Sequence, residues 1–353
     1  MRTYLVTGGA GFIGSNFIHS IFGKYKDQIF VINLDKLTYA GNLSNLDSIK
    51  ERRNYTFIKG DICDKELLDN IFTKYDIDFV VNFAAESHVD RSIKNPEVFV
   101  KTNVLGSQTL LFSAMKYWKT ENGFKGGKKF LQVSTDEVYG SLGESGYFTE
   151  ETPLDPHSPY SASKAAADLL VKSYFDTYKM PINITRCSNN YGPYQFPEKL
   201  IPLAISNCLC GKPVPVYGNG KNVRDWIYVK DHCSALDLVL HEGKPGKVYN
   251  IGANCEQRNI DIVTSIIRII EKNNTISGKK TENELYEFVE DRKGHDWRYA
   301  IDSSYIQKEL GWKPEITFEV GIEKTVFWYL DNKKWFDSIT GGNYLTYYTE
   351  MYN

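Results

Sequence analysis

The sequence predicts an α/β fold, a doubly wound parallel sheet followed by a smaller C-terminal α/β lobe. Three observations carry that prediction. Apolar runs of strand length alternate with longer amphipathic stretches through the first half of the chain. A glycine cluster sits where the first run ends. After Tyr191 the texture changes, with Pro193, Pro197, Pro202, Pro213 and Pro215 breaking the alternation. Strands and helices that alternate with short links imply parallel strands covered on both faces. The chain has 353 residues, enough to bury more than one core.

In order, TYLVTG (3–8) is predicted as the first strand and GFIGSNFIHSIFGKY as the helix after it. IFVINLD (29–35) and YTFIKGD (55–61) are strands that each close on an aspartate. KELLDNIFTKY reads as a helix and DFVVNFAA (78–85) as a strand. PEVFVKTNVLGSQTLLFSAMKYW reads as one long amphipathic helix, and ENGFKGGKK (121–129) as an exposed loop. KKFLQVST gives a further strand, YSASKAAADLLVKSYFDTYK a helix, and INITRCSNNYG a strand. Residues 226–251 read as strand, helix and strand returning to the first sheet. IDIVTSIIRIIEK (260–272) is an amphipathic helix of the second lobe. The expected division is 1–190 with about 226–255 in the first lobe, 191–225 with about 256–335 in the second, and a tail over 336–353.

Composition narrows the function. A net charge of −2 gives no nucleic-acid footprint and no polybasic membrane patch. No apolar run approaches the roughly 20 residues a membrane helix needs. The N-terminus enters a strand at once, without a signal-peptide pattern. Cys63, Cys187, Cys208, Cys210, Cys233 and Cys255 are scattered, and CLC at 208–210 is too tight for a metal site. They are expected to be reduced thiols in a cytoplasmic protein with no metal.

The glycine cluster, TGGAGFIGSNF, contains Gly9-x-Gly11-x-x-Gly14, with Gly8 adding an overlapping series. Alone the pattern is weak; between a strand and a helix it predicts a dinucleotide site. Glycines let the backbone approach a pyrophosphate, and the helix start offers unpaired N–H groups. Asp35, roughly 20 residues further on, is placed to accept from the adenosine ribose hydroxyls, which favours NAD over NADP. Asp61 and Ile62 close the third strand where adenine would lie. The first lobe is thus expected to be a Rossmann-type NAD-binding sheet, and the second a substrate-binding lobe.

In PYSASKAAADLL, Tyr160 and Lys164 lie one turn apart on the same helix face. A free tyrosine titrates near ~10, too high for a base at neutral pH. A neighbouring ammonium and an oxidised nicotinamide would favour the phenolate, so Tyr160 can take an alcohol proton while a hydride leaves. STDEVYG places Thr135, Asp136 and Glu137 side by side at a strand end. Adjacent carboxylates repel, and a solvated turn is what they would form on their own.

Across nearly its full length the chain resembles the extended short-chain dehydrogenase/reductase family. Within it, STDEVYG, NFAAESHVDRSI, TRCSNNYGPYQFPEKLIP, GNGKNVRDWIYVKDH and DRKGHDWRYAID look like the dTDP-glucose 4,6-dehydratases. Lys293 stands where that family commonly has proline. The resemblance implies oxidation at C4 of a nucleotide-linked glucose, loss of water across C5 and C6, and hydride return to C6. A ketone at C4 makes the C5 hydrogen removable, and two close carboxyls can split into an acid and a base. Spacing does not say which is which; the resemblance implies Asp136 as acid at the C6 hydroxyl and Glu137 as base at C5. Thr135 would orient the C4 hydroxyl. A Thr-Ser-Glu trio, the pattern of GDP-mannose dehydratases, is not present.

The cofactor set it implies is Gly8, Gly11, Phe12, Ile13, Gly14, Asp35, Lys36, Thr38, Asp61, Ile62, Ala84, Ala85, Ser87, Thr102 and Asn190, with Tyr160 and Lys164. For dTDP-glucose it implies Ser87, Thr135, Asn189, Glu198, Lys199, Leu200, Pro215, Tyr217, Arg224, Asn259, Arg292 and His295, with Arg224 and Arg292 as the guanidinium fork for two phosphates. Glu86 and His88 follow the fourth strand, His88 as a structural residue. Apolar stripes on helices 96–118 and 160–178 predict a homodimer through a four-helix contact. The rival readings are another nucleotide-sugar dehydratase, a UDP-sugar 4-epimerase on the same fold, and a non-catalytic NAD-binding regulator. The last would need neither Tyr160 nor Lys164.

Overall fold

The computed structural model describes residues 1–273, 284–291 and 294–340. Seven strands form the central sheet: β1 (Arg2–Thr7), β2 (Ile29–Asp35), β3 (Tyr55–Lys59), β4 (Phe79–Asn82), β5 (Lys129–Thr135), β6 (Ile182–Cys187) and β7 (Val248–Ile251). Their spatial order is β7-β6-β5-β4-β1-β2-β3, and every adjacent pair is parallel. The order reverses between β1 and β4, which opens a crevice beyond their carboxyl ends. Thr7 Oγ1 donates to Asn82 Oδ1 across that point at 2.6 Å. Strand β5 is buried at every residue, as a central parallel strand covered on both faces must be. One apolar cluster, with Phe17, Ile21, Val239 and Tyr249, packs on one side of the sheet; a second, with Leu68, Leu110, Trp118 and Val171, packs on the other.

The last sheet strand comes from residue 248 onward, because β7 returns to pair with β6. Segments before and after β7 together build a second core. Helix Asn259–Lys272 buries Ile262, Val263, Ile266, Ile267 and Ile270 on one stripe against helix Leu200–Leu209. Strand Val214–Tyr217 pairs with Tyr286–Val289, and Val223–Tyr228 lies between Asn189–Tyr191 and Glu256–Arg258. Phe336, in helix Lys333–Ile339, packs into the same core. The rest of the expected tail, from 341, lies outside the described residues.

Three local expectations change. INITRCSNNYG is two strands rather than one: β6 stops at Cys187, Ser188 N–H bonds to Ile251, and Asn189–Tyr191 joins the second lobe's sheet. The chain therefore crosses between lobes at the crevice itself. The stretch 96–118 is helical throughout but not one α-helix. Residues Pro96–Phe99 and Ser107–Trp118 are α, and Val100–Gly106 between them forms a π-turn. Periodicity cannot reveal such a widening, which adds a residue to a turn without altering the apolar stripe. Within the loop predicted at 121–129, Gly123–Phe124 pairs with Lys119–Thr120 as a small hairpin.

Candidate active site

The glycine loop is shaped by contact. Gly8 has φ +68°, and a Cβ on it would lie 2.7 Å from Ala84 N; one on Gly14 would lie 2.3 Å from Gly8 O. No other residue could keep β1, the β4 loop and the helix Phe12–Tyr25 this close. That helix starts at Gly11 with no side-chain cap, so its first N–H groups remain for a ligand. Asp35 receives Ala10 N–H at 2.9 Å and Leu37 N–H at 2.8 Å on separate oxygens, leaving each oxygen a further lone pair. Burial pushes its carboxyl upward and the two amides oppose that. Lys36 reaches Asp61 at 2.8 Å and ties the ends of β2 and β3 together.

All residues assigned above to the cofactor line one cavity of about 310 Å³, from the glycine loop, Asp35, Lys36 and Thr38 at one end to Ala84, Ala85, Thr102, Asn190, Tyr160 and Lys164 at the other. Ser87, Thr135, Asp136 and Glu137 line its inner end. The π-turn serves this wall. Thr102 faces the cavity, and Asn103 accepts Glu86 N–H at 2.9 Å while donating to Glu86 O and to Ser163 Oγ. It thereby fixes the β4 loop to the helix that carries Tyr160. Helix Pro159–Tyr178 begins with a reciprocal cap, Ser158 Oγ to Ser161 N–H and Ser161 Oγ to Ser158 N–H, both at 3.0 Å.

Asp136 and Glu137 open a 3₁₀ turn capped by Thr135, whose Oγ1 accepts Glu137 N–H and donates to Asp136 Oδ1, each at 3.3 Å. Successive side chains in such a turn stand about 120° apart, so the neighbours separate. Asp136 points inward, 2% exposed, with no hydrogen-bond partner for Oδ2 among the described residues. Burial, then Glu137, then Asp225, push its carboxyl well above the usual range, which keeps it protonated. Glu137 instead borders both the cofactor cavity and an adjoining one of about 170 Å³. Tyr160 is pushed well above 10, by burial first and then by Glu137 and Cys187. The expected lowering therefore has to overcome its surroundings. Lys164 donates to Val133 O at 2.8 Å, and burial pulls it below its ordinary value.

The second cavity gathers Asn189, Glu198, Lys199, Leu200, Pro215, Tyr217, Arg224, Asn259 and His295. Arg292 and Lys293 lie outside the described residues. The Arg224 guanidinium is planted on the carbonyls of Val223 and Asp296, at 2.8 and 3.0 Å, and stacks 4.3 Å from the Tyr299 ring centroid. Tyr217 and His295 meet edge to face at 6.2 Å. The Glu198 carboxylate is engaged by Tyr39 Oη at 2.9 Å and Arg91 at 3.5 Å, and Lys199 Nζ donates to Ser87 O at 2.9 Å. The loop 196–199 is thus strapped across the cofactor cavity as well as lining the other. Gln195, Phe196, Asp296 and Tyr299 also line these cavities and were not singled out from the sequence. Gln195 and Phe196 lay inside PYQFPEKLIP, and Asp296 and Tyr299 inside DRKGHDWRYAID; all four were passed over for their neighbours. His88 is 3% exposed, with Asp90 at 3.9 Å from Nδ1.

Comparison with known proteins bears on this arrangement. A family model described as GDP-mannose 4,6 dehydratase matches residues 5–325. The dTDP-glucose 4,6-dehydratase of Xanthomonas campestris pv. campestris (strain B100) is 51% identical over 98% of this chain and 97% of that protein. The crystal structure of dTDP-glucose 4,6-dehydratase from Bacillus anthracis in complex with NAD superposes with a TM-score of 0.86 at 50% identity, covering 96% of this chain and all of that one. The enzyme of the same name from Streptomyces venezuelae, with NAD and TYD bound, gives 0.86 at 45% identity, over 96% of this chain and 100% of its own. A UDP-glucose 4-epimerase from Thermotoga maritima stands further off, at 27% identity and 0.81, over 94% and 100%. Fold, site and relatives agree: the chain belongs to the family described by the GDP-mannose 4,6 dehydratase model and, within it, to the dTDP-glucose 4,6-dehydratases.

Proposed function

We infer that the protein is a hydro-lyase that converts dTDP-glucose to dTDP-4-keto-6-deoxyglucose, with NAD as a cofactor regenerated in each turnover. The observation that carries the reading is the convergence of Tyr160, Asp136 and Glu137 on the cofactor cavity, with Glu137 also bordering the second. The residues present fit NAD: a Cβ-free cradle beside an uncapped helix start for the pyrophosphate, and an aspartate with lone pairs left for ribose hydroxyls. Bound in that cradle, NAD would supply the acceptor for the C4 hydride and its donor at C6.

The protein's own groups handle the protons. Tyr160 takes the C4 hydroxyl proton, with Thr135 orienting that hydroxyl and Lys164 opposing the cost of a buried phenolate. Glu137 removes the C5 proton once C4 is a ketone, and Asp136, held neutral by burial, gives its proton to the departing C6 hydroxyl. Water is lost, and as C6 is reduced Glu137 returns a proton to C5 while Tyr160 keeps the ketone oxygen hydrogen-bonded; the proton gained by Tyr160 and the one given up by Asp136 are then evened out through solvent. A 4-epimerase has no use for an acid–base pair here, which is what favours dehydration over the 27%-identical epimerases.

The first lobe, 1–190 with about 226–255, holds NAD, and the second, 191–225 with about 256–335, holds the nucleotide sugar, with Arg224 and Arg292 at the diphosphate. Exposed Ile93, Val98, Val100, Leu105, Phe112 and Leu169 lie on the helices 89–118 and 159–178 and support a homodimer through that face. Six free cysteines suit a reducing compartment, the cytoplasm. The product feeds a deoxysugar pathway such as that to rhamnose. The test is dTDP-glucose carrying deuterium at C4. The expected product absorbs in alkali and carries the label on its methyl group within the same molecule; an epimer with the label still at C4 overturns the reading.

A further inference from the structure

Behind Tyr160 and Lys164 lies a buried ionic row that the dehydration chemistry does not use. Asp168, one turn beyond Lys164 on the same helix face, is 1% exposed, and its Oδ2 accepts Arg186 Nε at 2.9 Å. Arg186, on β6, is 6% exposed, and its guanidinium lies 4.8 Å from the Tyr139 ring centroid. Tyr139 Oη donates to Asn250 Oδ1 at 2.8 Å, and Asn250 N–H donates to the half-buried Glu150 at 2.8 Å. Helix, sheet and the 3₁₀ turn thus enclose the sequence Tyr160, Lys164, Asp168, Arg186.

Two buried positive groups with one carboxylate between them need an explanation, because ions are costly to bury. The base Tyr160 needs the proton of the pair to sit on Lys164. Tyrosinate with lysine ammonium, and neutral tyrosine with neutral lysine, contain the same number of protons and differ only in where one sits. Burial disfavours the charged arrangement. Around the pair, Glu137, Asp136 and Cys187 face Tyr160, and Cys187 and Asp168 face Lys164; Lys164, Arg186 and Ser134 face Asp168. Asp168, one turn along the helix, is the carboxylate that faces Lys164, while Glu137 and Asp136 face Tyr160 and oppose the phenolate; burial pushes Asp168 itself upward, and the Arg186 guanidinium at 2.9 Å is the foremost group that opposes this.

We propose that Asp168 and Arg186 are positioning residues for the oxidation at C4: Asp168 holds the shared proton on Lys164 instead of Tyr160, and Arg186 keeps Asp168 ionised so that it can. This rests on the assignment of Tyr160 as the alcohol base. No bond changes at either residue; the proton that leaves the C4 hydroxyl goes to Tyr160 Oη, and Asp168 sets how often that oxygen is ready for it.

The test uses the NAD-loaded protein and a 6-deoxy analogue of the nucleotide glucose, which can be oxidised at C4 but has no hydroxyl to lose. NADH absorbance is followed after rapid mixing across pH. In Asp168→Asn the rate plateau falls about tenfold or more, since a neighbouring opposite charge is worth roughly one or more pK units to a buried ammonium. The acid limb moves to lower pH, because a negative charge has been removed from a site that must lose a proton, yet the proton now leaves mostly from the lysine. Arg186→Gln moves in the same direction, and Arg186→Lys restores the plateau. The double variant D168N/R186Q, neutral at both positions, gives the same pattern and covers a folding loss in Asp168→Asn alone. A second readout needs no turnover: the tyrosinate absorbance of the resting protein, taken as the difference from Tyr160→Phe, decreases in Asp168→Asn. A wild-type plateau in Asp168→Asn, or a reduced plateau with an unmoved acid limb, overturns the inference. NADH formed at the wild-type rate by Tyr160→Phe would instead overturn the assignment of Tyr160.

Discussion

Asp136 and Glu137 are neighbours in the chain and strangers in environment. One side chain is enclosed and held neutral; the other borders two cavities. Asp136→Asn should slow dehydration by roughly 10²–10⁴, while NADH still forms on mixing with dTDP-glucose. The same substitution should stabilise the fold. In the unfolded chain Asp136 ionises above about pH 4, whereas the folded protein, whose carboxyl burial raises, holds its proton, so stability falls as pH rises above about 4. Asparagine carries no such penalty. Its gain in denaturant midpoint should therefore be absent near pH 4 and grow toward neutrality; a loss at neutral pH would mean that burial does not hold Asp136 protonated. Glu137→Gln should leave NADH formation intact and abolish solvent deuterium uptake at C5, read by mass spectrometry.

Elements deliver these residues. The reciprocal cap of Ser158 and Ser161 starts the helix at the turn that carries Tyr160, with Pro159 already set for it. Ser158→Ala should cost about 1 kcal/mol in chemical denaturation, with kcat falling more than KM rises, because the loosened group is the base and not a binding contact. Much of this level was legible in advance. Tyr160 and Lys164 announce themselves by spacing, and Gly8 and Gly14 by their place after a strand. The π-turn at Val100–Gly106 was not legible, although Asn103 depends on it, because its apolar pattern is that of a plain helix. Arg186 read only as a polar residue within a strand. Its partner Asp168 sits on another element, and periodicity does not report a contact between elements.

At the scale of the molecule, the crossing of the chain at Ser188 puts both lobes against one reaction centre. The return of residues 248–251 to the first sheet was legible in the sequence, and β7 does pair with β6; that the strand Val223–Tyr228 joins Asn189–Tyr191 instead was not, because that pairing is fixed only by tertiary contact. The exposed apolar residues on helices 89–118 and 159–178 make their own prediction: Leu169→Glu should convert a dimer to a monomer in sedimentation velocity. An unchanged sedimentation coefficient in a wild-type dimer would place the contact elsewhere. The strap at 196–199 has a further consequence. Its Glu198 and Lys199 line both cavities, Glu198 held by Tyr39 and Arg91 and Lys199 by the carbonyl of Ser87. A dinucleotide seated beneath that segment should then leave more slowly than sugars arrive and depart. Radiolabelled NAD should exchange far more slowly than product forms, and Tyr39→Phe should hasten the exchange. An enzyme built this way never has to search for its oxidant, since each hydride it lends comes home before the door behind it opens.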